Sequence, residues 1–222
     1  MEKFKEKNNK FKNVFNNLNK NYELFNLNYN DMFNKLVNSN LKTIALNTES
    51  ILMPEKKIKL YFFNEIVVVD CLNKQVIKYN SKYNSNITKI DSFSSSLILH
   101  FLITANNKPL SGSWISYREL PDGLFYASTI PAVLAPLIKK YENNGLDFIK
   151  KIISLGGKKE ENFKNAAIIF PFKKFPILFI LEEKDEEFEA NIKVLFDKNS
   201  SYFMKTDIIK TLLVYTVKKL LS

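Results

Sequence analysis

The 222 residues contain one cysteine, one histidine, one tryptophan and one arginine, and each scarcity excludes something. Cys71 alone forms no internal disulfide, and one thiol does not hold a zinc ion or an iron–sulfur cluster. Cys–His catalysis is reduced to a single pairing, Cys71 with His100, and Cys71 closes an apolar run, where a thiol reads first as a buried structural residue. Glycine is also scarce. All five glycines lie between Gly112 and Gly157, and none has the spacing of a nucleotide loop. Gly156-Gly157-Lys158-Lys159 lacks both the interval and the hydroxyl of a Walker motif, and neither the dinucleotide fingerprint nor a nucleophile elbow is present. No apolar run reaches the roughly 18 to 20 residues of a membrane span; the longest are Leu97–Ala105 and Phe175–Leu181. The opening MEKFKEKNNK has no apolar stretch behind it, so no secretory signal is expected. With the lone thiol, that points to the reducing cytoplasm.

What is abundant is lysine, asparagine and aromatic rings, with 19 Phe and 10 Tyr. The net charge is +10, and of the 33 basic residues only Arg118 is an arginine. Such a surface suits anionic partners in general. Base readout relies on arginine, however, so this composition argues against nucleic acid. A Lys- and Asn-rich surface is how an AT-rich genome spells a protein. Where lysine has been favoured so strongly, a remaining arginine suits a job that lysine cannot do: a bidentate clamp on a carboxylate or phosphate, or stacking on a ring.

Periodicity predicts an amphipathic helix carrying Phe11, Val14, Phe15, Leu18, Tyr22 and Phe25, then a second helix over Asp31–Leu46. Lys57–Tyr79 switches to a strand meander, and 80–86 is a polar loop. Asp91–Ala105 reads as a buried helix capped by Asp91 or Ser92. Trp114–Leu120 reads as extended and is ended by the turn Pro121-Asp122-Gly123. Helices follow over Pro131–Tyr141 and Leu146–Leu155, strands over Ala166–Pro171, Phe175–Glu182 and Asn191–Phe196, and a helix capped by Thr206 over Thr206–Leu221. Strands come in clusters. The expectation is therefore an α+β fold: a mainly antiparallel sheet with flanking helices, an N-terminal helical pair and a C-terminal helix. One domain, 1–222, is expected, with the helical segment 1–50 packed on an α+β core over 57–222.

Strand alternation across Trp114–Leu120 would set Trp114, Ser116 and Arg118 on one face, with Glu119 on the other. A ring, a hydroxyl and the sole guanidinium side by side suit a flat anionic ligand, such as a tetrapyrrole or a flavin. The same residues fit a structural arrangement in which Arg118 pairs with an acid and Trp114 anchors the core. His100, in LILHFL, reads either as a core histidine satisfied by hydrogen bonds or as a ligand or acid/base group. Glu182–Glu189 places six carboxylates in eight residues. Asp185, Glu186 and Glu187 there suit a divalent cation or acid/base work, or else simply form a solvated acidic turn.

The run LHFLITANNKPLSGSWISYRELPDGLF over Leu99–Phe125 is followed by Pro136-Leu137, Leu155-Gly156-Gly157, the DEEF of Asp185–Phe188 and the LFD of Leu195–Asp197. In this order the motifs resemble the domain-of-unknown-function family numbered 3786, found in anaerobic bacteria and archaea. The resemblance covers roughly 90–220, and the front half more loosely. It implies an anaerobic habitat and, for some members, company with iron–sulfur modules, for which this chain has no cysteine set. Lys164-Asn165 stands where the family pattern has Gly-Asp, and Glu182 where it has Trp. The family brings no reaction with it. Three readings follow: an accessory domain binding a flat anionic small molecule through Trp114, Ser116, Arg118 and Glu119, with His100, Asp185 and Glu186 nearby; a metal-assisted enzyme using Asp185, Glu186 and Glu187 on a substrate oriented by Arg118; and a protein–protein interaction module.

Overall fold

A computed structural model describes residues 29–79 and 87–222. The helix expected over 11–25, and with it the first member of the N-terminal pair, lies outside them, as does the loop 80–86. Two five-stranded sheets, both antiparallel throughout, carry the fold. The first is a meander in chain order: β1 (Ile51–Met53), β2 (Lys57–Phe62), β3 (Glu65–Asp70), β4 (Gln75–Tyr79) and β5 (Ile87–Lys89). Phe63 and Asn64 both take positive φ between β2 and β3, as a two-residue hairpin turn requires. The second sheet holds β6 (Trp114–Ser116), β7 (Lys158–Glu160), β8 (Ala166–Phe172), β9 (Phe175–Glu182) and β10 (Asn191–Asp197), in the order β6-β10-β9-β8-β7.

Helices α1 (Tyr29–Val37), α2 (Leu41–Thr48), α3 (Ser92–Thr104), α4 (Leu124–Ala127), α5 (Ile130–Tyr141), α6 (Gly145–Ser154) and α7 (Thr206–Leu221) complete the described part. The chain is α+β, as its clustered strands predict. Helix α3 is apolar on nearly every side, and its residues Phe93–Leu99, Phe101 and Leu102 are buried; a helix of that pattern belongs in a core. Asp91 caps it by accepting the Ser94 N–H at 3.0 Å.

The two sheets meet at one seam. The Phe63 N–H donates to the Pro171 carbonyl at 3.0 Å. The Phe172 ring lies flat on Phe101, with centroids 4.1 Å apart, and tilted on Phe62 at 5.1 Å. Phe62 in turn stacks on Tyr215 of α7 at 5.5 Å. One continuous apolar cluster runs through both sheets and α3, α5, α6 and α7. Gly156 passes the β2–β3 turn so closely, at φ +84°, that a Cβ there would stand 2.4 Å from the Asn64 Cβ. The Leu155-Gly156-Gly157 motif thus passes close to the Asn64 side chain at Gly156 and to backbone at Gly157, where a Cβ would stand 2.6 Å from the Ile168 carbonyl oxygen.

Three local expectations need correction. Asp31–Leu46 is two helices, because the Asn40 side chain accepts the Lys42 and Thr43 N–H groups at 3.1 Å each and starts α2 afresh. Thr206 does not cap α7; its hydroxyl donates instead to the Pro121 carbonyl at 2.6 Å. Trp114–Leu120 is not one strand, because β6 ends at Ser116 and Tyr117–Glu119 turns as a 3-10 helix.

Candidate functional site

Gly112–Phe125 is held from three sides. Asp197, only 3% exposed, gathers its start. One carboxylate oxygen accepts the Ser111 N–H at 3.0 Å and the Asn199 N–H at 2.8 Å. The other accepts the Gly112 N–H at 2.9 Å and the Ser111 hydroxyl at 3.0 Å. The aspartate of the LFD motif thus fixes the loop that leads into β6. Next, Ser116 and Glu119 form a capping box: the Glu119 carboxylate accepts the Ser116 hydroxyl at 2.7 Å and its N–H at 2.8 Å. These two bonds hold Glu119 below the usual carboxylate range. Finally, buried Tyr117 donates its hydroxyl to the Thr206 carbonyl at 2.8 Å, and burial pushes its phenol well above the ordinary range. A Cβ on Gly123 would stand 2.0 Å from the Tyr117 carbonyl oxygen, so the turn after Leu120 admits only glycine in this geometry.

Arg118 takes no part in that scaffolding. It is exposed and makes no ion pair with any acid among the described residues. The structural alternative, an Arg118 pair with an acid, does not occur there. Arg118 instead lines a cleft of about 630 Å³ whose walls are α5, through Leu134 and Ile138, and β10, through Ile192 and Val194. Leu124 of α4 borders the same cleft.

Of the other expected site residues, Ser116 alone joins it. Trp114 packs on the outer face of the second sheet, with Ala166, Ile168 and Leu178, because the strand that was to carry it and Arg118 together stops between them. Ser116 does line the cleft, although its hydroxyl is spent on Glu119. His100 is half-buried and lines a separate groove beside Asp31 and Lys35. Burial lowers its pKa, opposed by the nearby Asp207 carboxylate.

The acidic run is a structured turn. Asp185 accepts the Glu187 N–H at 2.9 Å and the Phe188 N–H at 2.6 Å. Glu182 pairs with Lys193 and Asn191, which lowers its pKa. Glu183 accepts the Gly145 N–H at 2.7 Å, the main reason its own pKa is lowered, and the Asn165 amide at 2.9 Å. Asn165, one of the departures from the family pattern, therefore serves the fold here. Glu186 and Glu187 stay exposed. Among the described residues, no three His, Cys, Asp or Glu side chains are placed to hold a metal ion. Cys71 is buried, with its thiol pushed up to about 11 by burial and the adjacent Asp70 carboxylate, and it lines a different groove from His100.

Sequence reasoning missed the clamp by Asp197, the Glu183–Gly145–Asn165 node and the short helix α4. The capping box was visible as Ser-x-x-Glu. The Asp197 contacts join positions 86 residues apart, and no local signal reveals them.

The architecture defines a class first: an α+β domain of two antiparallel sheets, with an apolar-walled cleft headed by one arginine. The family model described as "Domain of unknown function (DUF3786)" matches residues 40–219. The chain belongs to that family, and the match extends over the front half that the motifs covered only loosely. No curated protein and no solved structure matches it. No helix among the described residues is long and apolar enough to cross a membrane.

Proposed function

We propose that the chain is a single non-catalytic binding domain, working in the reducing cytoplasm, that holds an anionic small molecule in the cleft between α5 and β10. One observation carries this reading: the only guanidinium of the chain lines an apolar-walled cleft and is paired with no acid among the described residues. An anion there gains a charge-assisted, bidentate contact in surroundings that screen less than open water. The volume of about 630 Å³ lies in the ordinary range of ligand sites, and the net charge of +10 favours the approach of anions. A tetrapyrrole or flavin is one class of such anion, although Trp114, packed elsewhere, supplies no stacking surface for it.

The test is a thermal-shift series on the purified chain with flavin mononucleotide, protoporphyrin IX and alkyl carboxylates, repeated on Arg118→Gln. A ligand at a hundredfold excess over its Kd stabilises by about 2.7 kcal/mol, which is about 5 to 10 °C in Tm for a chain of this length. At least one anion raises the Tm of the parent and not of the variant. The proposal fails if none does, or if Arg118→Gln responds equally.

A further inference from the structure

The walls and charge of the cleft narrow the ligand class, on the reading that Arg118 heads a binding site. Apart from Asn191 at the start of β10, the side chains from α5 and β10 are aliphatic: Ile130, Pro131, Leu134 and Ile138 on the helix, Ile192 and Val194 on the strand. Among the described residues the one aromatic ring on the lining is that of Tyr117, which is buried and fixed by its bond to Thr206, so a flat ring system finds no free aromatic surface there to stack on. The charge count is equally narrow. Among the described residues Arg118 is the only charged one on the lining, with no second cation and no carboxylate. A polyanion such as a dinucleotide or a tetrapyrrole with two propionates would leave charge unmatched beside aliphatic walls, at a desolvation cost.

The rim points the same way. Helix α4 buries none of its residues. Its Leu124, 61% exposed, borders the cleft. A large apolar side chain left in water beside an apolar cleft loses that exposure when an apolar ligand fills it.

We infer that the ligand is a free single-chain amphiphile, its aliphatic tail lying between α5 and β10 and its one carboxylate or other monoanionic head on Arg118. Tail burial then sets affinity, and the guanidinium selects the head.

The experiment is isothermal titration of the full chain with octanoate, decanoate and dodecanoate, with decanol as the uncharged match and flavin mononucleotide and protoporphyrin IX as flat anions. The variants are Arg118→Gln, Ser128→Trp, which plugs the cleft from an exposed rim position, and Lys205→Gln in the neighbouring groove as a control; circular dichroism verifies their folds. Affinity is expected to rise about four-fold per added methylene. Arg118→Gln should weaken decanoate about ten-fold or more while leaving decanol unchanged. Ser128→Trp should weaken both, and Lys205→Gln neither. Alkanoate affinity that ignores chain length, or that survives Ser128→Trp, overturns the inference. Arg118-dependent binding of a flat anion, or of an apolar peptide through its terminal carboxylate, with none of the alkanoates, overturns the amphiphile but leaves the anion site standing. No Arg118-dependent binding by any anion removes both.

Discussion

Asp197→Asn keeps the shape of a buried side chain and takes away its charge. In the parent, one oxygen serves the Ser111 and Asn199 N–H groups, and the other serves the Gly112 N–H and the Ser111 hydroxyl. Asparagine has one acceptor oxygen. Its NH₂ cannot take the first position, where it would face two amide donors. It takes the second, where the Ser111 hydroxyl can turn and accept, but the Gly112 N–H then meets another donor. A hydrogen bond to a charged group is worth about 1.5 to 3 kcal/mol, and the three surviving bonds lose their charge assistance. Gly112 is exposed, so water recovers part of the loss. The net cost is about 3 kcal/mol, which for a chain of this length lowers Tm by about 6 to 12 °C.

Thermal melting by circular dichroism at neutral pH reads the effect, and amide exchange at Gly112 localises it. Ser111→Ala deletes the hydroxyl's bond to Asp197 and its two exposed bonds with Ser113, and should cost only about 1 to 2 kcal/mol. An unchanged melting temperature for Asp197→Asn, or a loss no larger than that of Ser111→Ala, refutes the view that this carboxylate organises the loop.

Two further outcomes follow, one from the same scaffold and one from His100. Gly123→Ala drives a Cβ to 2.0 Å from the Tyr117 carbonyl oxygen and 2.9 Å from that of Leu120, both backbone. It should destabilise by about 3 kcal/mol in urea unfolding, whereas Gly112→Ala, at φ +71° with nothing within 4 Å, should cost about 1 kcal/mol; equal losses would contradict the close approach. His100 has its pKa lowered by burial from an ordinary 6.5, so the unfolded chain takes up its proton first as pH falls. Stability from this residue is whole above 6.5 and declines as pH drops through that value toward the folded pKa. His100→Gln removes this decline. The acid loss from Glu119, Glu182 and Glu183, whose pKa values are lowered from 4.5, remains at lower pH. A parent and variant with identical Tm profiles between neutrality and pH 4.5 would refute the assignment.

The fold class was legible because period and clustering are local properties. β2, β3, β8, β9, β10, α3 and α7 each carry their own pattern of apolar residues, and the lack of regular strand–helix alternation spoke for antiparallel sheets. The errors fall where two local codes overlap. Tyr117-Arg118-Glu119 alternates like a strand, yet Ser116 and Glu119 also spell a capping box. The structure obeys the box, because its bonds are made within four residues while β6 has only β10 to pair with. In the same way Asn40 outweighed the helical period of Asp31–Leu46. The short strands β1, β5 and β7 have too few residues to show a period and owe their conformation to their neighbours. Half of the candidate site was legible. Arg118 was singled out by being the lone arginine, but the cleft it heads depends on α5 meeting β10, a tertiary contact with no local signature.

That division bears on what the family motifs record. Asp197 and Ser111 tie a loop, Gly123 and Gly157 mark backbone contacts, Tyr117 anchors to α7, Asp185 closes a turn, and Leu137 is fully buried in the core. Each of these would be required whatever the protein bound. Arg118 is required by none of them. On an open surface its charge would be interchangeable with the many lysines around it, because solvent screens both alike. Beside Leu134, Ile138, Ile192 and Val194 the two are no longer equivalent. A weakly hydrated planar cation tolerates apolar neighbours better than an ammonium, and it grips a carboxylate with two parallel N–H groups rather than one point of charge. Arg118→Lys therefore separates the two roles of this position: a residue kept for solubility would tolerate the exchange, whereas one kept to hold an anion against an aliphatic wall would not.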